Sequence, residues 1–273
     1  MMSYPGGGYQ MRIRFGGPLT PAVKALLIAN GAVFAVQIIF HVARPEGLAP
    51  GAPTVFENWF AMRPVDAVGR LHLWQFITYS FLHAVTNPLH IAMNMFMLWM
   101  FGGDVERALG RPRFLTLYLA AAAVGGICMI PWYFTMLVGA SGAVFGVMAA
   151  YARLFPERRL LFRGMFPVRA RTLVLVLAGI NLLAAVAGSD AGVAHFAHLG
   201  GFAAGWFFLS FERSAAEFKR ARDFRRAGRA EQEDRDVRAE VDRLLTKVGR
   251  DGLGSLTGRE REFLNRASKR FRK

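Results

Sequence analysis

A single cysteine, Cys128, stands in 273 residues, so no intramolecular disulfide can form, and a secreted scaffold stapled by disulfides is excluded. Charge is also scarce. Asp, Glu, Lys and Arg make up 19% of the chain against 53% hydrophobic residues, which is too apolar for an ordinary soluble domain and excludes an intrinsically disordered one. Acid is the scarcer sign, with 19 Asp and Glu against 34 Lys and Arg, a net charge of +15. The excess is unevenly placed. From Arg213 to Lys273 there are 19 basic and 11 acidic residues, a net of +8, and the first 212 residues carry the remaining +7. An apolar front precedes a densely charged basic tail.

Long stretches lack charge altogether: Ala25 to Ala43, Leu71 to Gly103, Phe114 to Ala152, Thr172 to Ser189 and Ala191 to Phe211. A helix needs ~20 apolar residues to cross a hydrocarbon core of ~30 Å. The third stretch is about twice that length and is broken by Pro131 and by Gly139-Ala140-Ser141-Gly142, which divides it into two helices. Six spans result. Arg12, Arg14 and Lys24 precede the first; Arg107, Arg111 and Arg113 separate the second and third; Arg153, Arg158, Arg159, Arg163, Arg169 and Arg171 separate the fourth and fifth. The alternate connections are balanced or bare: Arg44, Arg63 and Arg70 face Glu46, Glu57 and Asp66, the third and fourth spans are joined without charge, and Asp190 alone joins the last two. By the positive-inside rule both termini are cytoplasmic. The first span reads as a retained anchor rather than a signal peptide. The second begins late, with Asn87 as N-cap and Pro88 at the first helical position, and stops at Gly102-Gly103. The connection from Arg44 to Val85, with Trp59, Trp74 and Phe81, is long enough to hold structure of its own.

Strongly polar side chains inside a bilayer are costly, so each is a functional candidate. They are His90 and Asn94 in the second span, Ser141 at the start of the fourth, Asn181 in the fifth, and His195 and His198 at the start of the sixth; His83 lies just outside the second. His90 and Asn94 are four apart, hence on one helix face. Ser141 falls where a loop becomes a helix, among backbone N–H groups without partners and at the positive end of the helix dipole. Gly142 and Gly146, and Gly201 and Gly205, are spaced for close helix contact, which would bring His198 near Ser141. A nucleophile, a base and oxyanion donors are the parts that acyl transfer needs. Asn181 reads as an interhelical packing hydrogen bond and His195 as a residue of the external boundary. A metal site built from His83, His90, His195 and His198 is the rival chemistry, but no HExxH occurs and no span carries an acidic residue. The serine is not in a G-x-S-x-G elbow either, because Ala143 occupies the place of the second glycine.

These segments resemble the rhomboid family of intramembrane serine proteases. The likeness rests on "FLHAVTNPLHIAMNMFMLWMFGGDVE" from Phe81 to Glu106, "GASGAVFG" from Gly139 to Gly146 and "AHLGGFAAG" from Ala197 to Gly205, and extends over Val23 to Phe211. It implies an all-α membrane protein with a six-helix bundle over residues 23–212, a cytoplasmic segment at 1–22 and a basic cytoplasmic tail at 213–273. It also implies Ser141 as nucleophile and His198 as general base in a dyad. His90 and Asn94 would be oxyanion-hole side chains beside the Ser141 N–H. Gly139, Gly142, Gly201 and Gly205 would support them, and Phe145 would pack against the catalytic histidine. No metal or organic cofactor is implied. The implied partners are single-pass transmembrane protein substrates, cut in or near their membrane helices. Trp74-Gln75 departs from the Trp-Arg that many relatives carry in this loop. The reading from another functional class is a catalytically silent binder or chaperone on the same scaffold.

In the tail, Glu212 to Arg238 reads as a charged helix or linker whose basic start favours anionic lipid. Val237, Val241, Leu244, Leu245 and Val248 come next at helical spacing, with Gly249 and Gly252 after them. Thr257 and Glu260 form a capping-box pattern ahead of Phe263, Leu264, Ala267 and Phe271, so the whole predicts a small helical hairpin. Nucleic acid is not an expected partner, since acids interleave the bases. The short N-terminal stretch, with little of a transit peptide, points to a bacterial plasma membrane.

Overall fold

The computed structural model of the protein describes residues 18–45, 52–162, 166–186 and 192–271. Arg12, Arg14, Glu46, Arg163 and Asp190 lie outside them. Two compact units are present, Met1–Leu209 and Ser210–Lys273.

Helix α1 (Pro21–Val42) opens with proline at a position that needs no N–H donor. Its Thr20 N-cap makes no side-chain cap of its own. Glu106, from a later helix, does that work: its carboxylate accepts from Ala22 N and Val23 N, both at 2.9 Å, and from the Thr20 hydroxyl. Negative charge at the positive end of a helix dipole is favourable, more so when buried, and Glu106 is buried. One face of α1 is buried through Ala22, Leu26, Asn30 and Gln37, while Ile28, Ile39 and Val42 on the other are exposed. Asn30 returns its amide to Leu26 O. Gln37 exchanges two hydrogen bonds with the His83 backbone, at 2.8 and 3.0 Å, so α1 is fastened near both ends, to Glu106 and to His83.

The connection after α1 does hold structure, in α2 (Val55–Phe60), α3 (Pro64–Ala67), α4 (Gln75–Thr78) and a 3-10 turn at Tyr79–Phe81. Gln75 is fully buried. It accepts from Arg63 N at 3.1 Å and donates to Asn58 O at 3.1 Å, tying α2, α3 and α4 together. The Trp74 indole donates to Trp59 O at 2.8 Å.

Helix α5 (Pro88–Leu109) begins at Pro88 as expected but does not stop at Gly102-Gly103. It runs on to Leu109 and ends at Gly110, whose φ of +79° breaks it. Gly102 serves packing instead: a Cβ on it would come within 2.8 Å of Val23 Cγ2. Helix α6 (Arg111–Ile127) and helix α7 (Ser141–Leu154) are the two halves of the long uncharged stretch. Between α7 and the next helix, the basic connection forms an antiparallel hairpin, β1 (Arg159–Phe162) with β2 (Phe166–Arg169), in the register Arg159 to Arg169. Nothing in the charge pattern announced it. Helix α8 (Ala170–Val186) and helix α9 (Gly192–Asp251) complete the first unit, α9 continuing into the second.

The core of the first unit joins Leu98 and Phe101 of α5, Phe114, Leu117 and Tyr118 of α6, and Val147 and Tyr151 of α7. Ten of the fourteen residues of α7 are buried, so α7 is the helix the others surround. Among the described residues, α1 alone is long and apolar enough to cross a membrane by itself, with α8 a shorter apolar helix of 17 residues. The remainder fall short for separate reasons: α5 carries Asp104, Glu106 and Arg107 in its last turns, α6 starts in Arg111 and Arg113, and α7 has 14 residues.

The second unit contains the rest of α9, a 3-10 turn at Leu253–Ser255 and α10 (Gly258–Phe271). Gly252, at φ +79°, ends α9. Thr257 and Glu260 form the expected capping box, with Thr257 N donating to the Glu260 carboxylate at 2.7 Å and Glu260 N donating to the Thr257 hydroxyl at 3.3 Å. Lys247 on α9 reaches the same carboxylate at 2.9 Å. Leu244, Leu256 and Ala267 are buried; Leu245, expected inside, is exposed.

Candidate active site

Ser141 is the first residue of α7, and no side chain caps that helix, so its first N–H groups lack intrahelical acceptors. The turn that delivers it depends on Gly139, whose φ of +129° disfavours any residue with a Cβ. A Cβ there would also strike the His90 ring, 2.8 Å from Nε2. The first glycine of the motif therefore makes room for His90 beside the serine. Gly139 N is held by Tyr79 O at 3.0 Å, and the Tyr79 hydroxyl donates to Ala122 O at 2.8 Å. The 3-10 turn thus fastens the serine loop to α6.

Helices α7 and α9 meet backbone to backbone. A Cβ on Gly201 would collide with Gly142 O, and one on Gly205 with Gly146 O. Both small-xxx-small pairs are used, and against each other. This approach brings His198 Nε2 to 2.7 Å from Ser141 Oγ, a full hydrogen bond. Phe145, one turn along α7, stacks on the His198 ring with centroids 4.8 Å apart and planes 7° from parallel.

His90 and Asn94 lie on the same side of α5 as each other, as their spacing requires, and both line a cavity of about 420 Å³ together with Ser141, Phe145 and His198. Apolar side chains, including Met97, Val144, Met148 and Leu177, supply much of its remaining wall. His90 Nδ1 faces Ala84 N at 3.4 Å, which leaves Nε2 as the ring nitrogen nearest the serine turn. Asn94 spends one amide hydrogen on His90 O at 2.9 Å and has a second. The site thus offers a hydroxyl joined to an imidazole, with N–H donors from two helices facing the same space.

Asn181 is where sequence reasoning fell short. It makes an interhelical hydrogen bond, as expected of it, but the partner is His198: Asn181 Oδ1 lies 2.8 Å from His198 Nδ1. The spacing between α8 and α9 residues carries no signal for such a pair; a lone amide on an apolar helix was the only clue. His195 is not a boundary residue alone. Its ring stands edge-on to His198 at 5.8 Å, and its Nδ1 is buried without a partner among the described residues. His83 is fully buried, with its ring 5.2 Å from that of His90. Among the described residues no three His, Cys, Asp or Glu side chains gather in a way that could hold a metal ion.

Compared with known proteins, residues 70–214 match the rhomboid domain, and residues 230–270 match a family of unknown function. Rhomboid protein 1, mitochondrial, of Saccharomyces cerevisiae is 34% identical over 155 residues, covering 51% of this chain and 42% of that protein. The rhomboid protease GluP of Bacillus subtilis is 31% identical over 148 residues, 54% of this chain and 28% of its own length. For the rhomboid protease GlpG of Serratia proteamaculans the figures are 29% over 158 residues, 58% and 50%. The chain therefore spans half or less of the length of these relatives.

Proposed function

This chain belongs to the rhomboid family, whose members are integral to membranes, and on that premise we propose that it is an intramembrane serine endopeptidase. The observation that carries the reading is the 2.7 Å contact between His198 Nε2 and Ser141 Oγ, in a cavity that His90 and Asn94 also line.

Ser141 is the nucleophile and His198 its general base. As Oγ attacks the scissile carbonyl carbon, the hydroxyl proton moves to Nε2. The carbonyl oxygen takes up negative charge, and His90 Nε2–H, the free Asn94 amide hydrogen and the Ser141 N–H stabilise it. His198 then delivers its proton to the leaving amine, and a water attacks the acyl-enzyme by the same route in reverse. The substrates are single-pass membrane proteins cut in or near their spans.

For the topology we adopt six spans over residues 23–212, with a cytoplasmic segment at 1–22 and a cytoplasmic tail at 213–273, in a bacterial plasma membrane. The exposed faces of α1 and α8, rich in Ile, Leu and Val, suit lipid contact, and a short α7 enclosed by its neighbours suits a serine set below a membrane surface, with the cavity as its supply of water. The basic start of the tail suits anionic lipid.

The test is labelling of the detergent-solubilised protein by a fluorophosphonate, with cleavage of a model transmembrane substrate followed in parallel. Wild type is expected to label and cut, and Ser141→Ala and His198→Ala to lose about 10⁴-fold or more in rate. A folded wild type that neither labels nor cuts defeats the assignment.

A further inference from the structure

Asn181 lies on α8, a helix whose described residues from 172 to 186 contain no titratable side chain. Its neighbours Ile180, Leu182 and Leu183 are exposed. An amide is costly on an apolar surface of this kind unless its polar atoms are paired. Both ends are in fact engaged. Nδ2 donates to Leu177 O, one turn back on α8, at 2.9 Å, and Oδ1 meets His198 Nδ1 at 2.8 Å.

The first of these bonds fixes the sense of the second. Were the amide reversed, Oδ1 would face the Leu177 carbonyl, acceptor against acceptor, so Nδ2 must point at Leu177 and Oδ1 at the imidazole. An oxygen that can only accept requires a hydrogen on His198 Nδ1. The neutral ring then has its lone pair on Nε2, where the Ser141 hydroxyl lies at 2.7 Å. The stacked Phe145 holds the plane of the ring, and the amide selects which nitrogen is free.

We propose that Asn181 is a positioning residue for His198: through its Oδ1 it holds the imidazole in the one tautomer that can accept the serine proton, and it stabilises the imidazolium once that proton has moved. The proposal rests on the reading of Ser141 and His198 as a dyad. The titratable groups that face His198 are His195, one turn away on α9, and His90 from α5; α7 presents Ser141 and Phe145, and α8 presents Asn181. No carboxylate faces it among the described residues, so the amide supplies orientation without charge.

The experiment uses the full chain in detergent, with kcat, KM and the pH–rate profile measured on a model transmembrane substrate for wild type, Ser141→Ala, Asn181→Leu and Asn181→Asp. Asn181→Leu removes the acceptor at similar volume; kcat should fall by about 10-fold or more while KM stays within about twofold, as expected for a group that acts on general-base catalysis. Asn181→Asp keeps the acceptor and adds charge. It should recover much of the lost kcat at neutral to alkaline pH, and the acid limb of its profile should move to higher pH by about one unit, because a carboxylate favours the protonated imidazole. A residue that merely packed two helices would lower the melting temperature in both variants and leave the folded Asn181→Leu protein with wild-type kcat. An Asn181→Leu variant with wild-type kcat overturns the proposal. If that variant does not fold, an Asn181→Asp profile coincident with wild type overturns it instead. Cleavage that survives Ser141→Ala would bring down the dyad reading, and this proposal with it; an inactive Ser141→Ala beside a fully active Asn181→Leu would bring down this proposal alone.

Discussion

Gly201 and Gly228 sit on the same helix, α9, yet nothing else about their settings agrees. At Gly201 the missing side chain is the reason another backbone can approach, since a Cβ would run into Gly142 O. Around Gly228 nothing among the described residues lies within 4 Å of where a Cβ would stand. The first unit is assembled by removing side chains and burying paired polar groups. The second is assembled by adding charges to its surface, as with Arg243 to Glu240 at 2.7 Å and Arg235 to Glu231 at 3.1 Å. Inside a bilayer there is little hydrophobic gain in helix association, so close packing and hydrogen bonds must bring helices together. A charged segment such as the second unit can rely on propensity, capping and local ion pairs.

The sharpest way to break this comparison is to make the same substitution in both places. Gly201→Ala should destabilise the first unit by about 3 kcal/mol or more, because backbone has to yield to backbone and overpacking of this sort has no flexible side chain to absorb it. Activity should vanish with it, since the same contact sets the distance from His198 to Ser141. Gly228→Ala should stabilise its stretch of helix by up to about 1 kcal/mol, as glycine is a poor helix former with no role to offset that. Thermal unfolding of the two variants, followed by tryptophan fluorescence and circular dichroism, reads both signs. Equal effects at the two sites would mean that the contrast between the units is not one of packing.

Next in size is a contrast between two glutamates. Glu106 is buried and holds the start of α1 through two backbone N–H groups and the Thr20 hydroxyl. Glu240 is exposed and pairs with an exposed arginine. Glu106→Ala strands two buried donors and should cost about 3 kcal/mol, whereas Glu240→Ala, which removes one solvent-screened pair, should leave the denaturation midpoint almost where it was. Chemical denaturation midpoints of the two variants decide the matter, and a Glu106→Ala change as mild as Glu240→Ala would mean that the carboxylate does not hold α1.

How far the fold could be read from residues alone obeys the same division. The capping box at Thr257 and Glu260, the start of α5 at Pro88 and the break before Ser141 are written in neighbouring residues, and each was legible. So were Ser141, His198, His90 and Asn94, because each belongs to a short motif whose spacing has a mechanical reason. What could not be read were contacts between distant positions with no local mark: Glu106 with the start of α1, Gln37 with His83, and Asn181 with His198. Gly102 and Gly103 were misjudged for the same cause. Adjacent glycines near the end of an apolar run look like a terminus, and only the presence of Val23 across the gap shows that Gly102 makes room. The hairpin from Arg159 to Arg169 was hidden beneath its charges, which drew attention to topology rather than to the Leu160 and Val168 that pair within it.

The smallest effect belongs to the tail, and pH reaches it. Hydrogen bonding from the Thr257 backbone, then from Lys247 and the Thr257 hydroxyl, lowers the Glu260 carboxyl from 4.5 to about 2. A carboxyl depressed on folding adds stability that is fully present above its unfolded value and is lost as pH falls through the folded one. The start of α10 should therefore hold steady from neutral pH to about 5 and loosen progressively between about 4.5 and 2. Because the Glu260 side chain is only partly buried, the loss should be partial and should shrink further in salt. Hydrogen exchange of the full chain, corrected for intrinsic rates, would show falling protection in peptides from 258–271 over that range. The contact of Gly142 and Gly146 with Gly201 and Gly205 offers an internal reference under the same conditions, because it carries no charge to titrate. Glu260→Gln should show the loosened behaviour already at neutral pH and little further change on acidification. If it titrated like wild type, the carboxylate at Thr257 would not be what holds α10 in place.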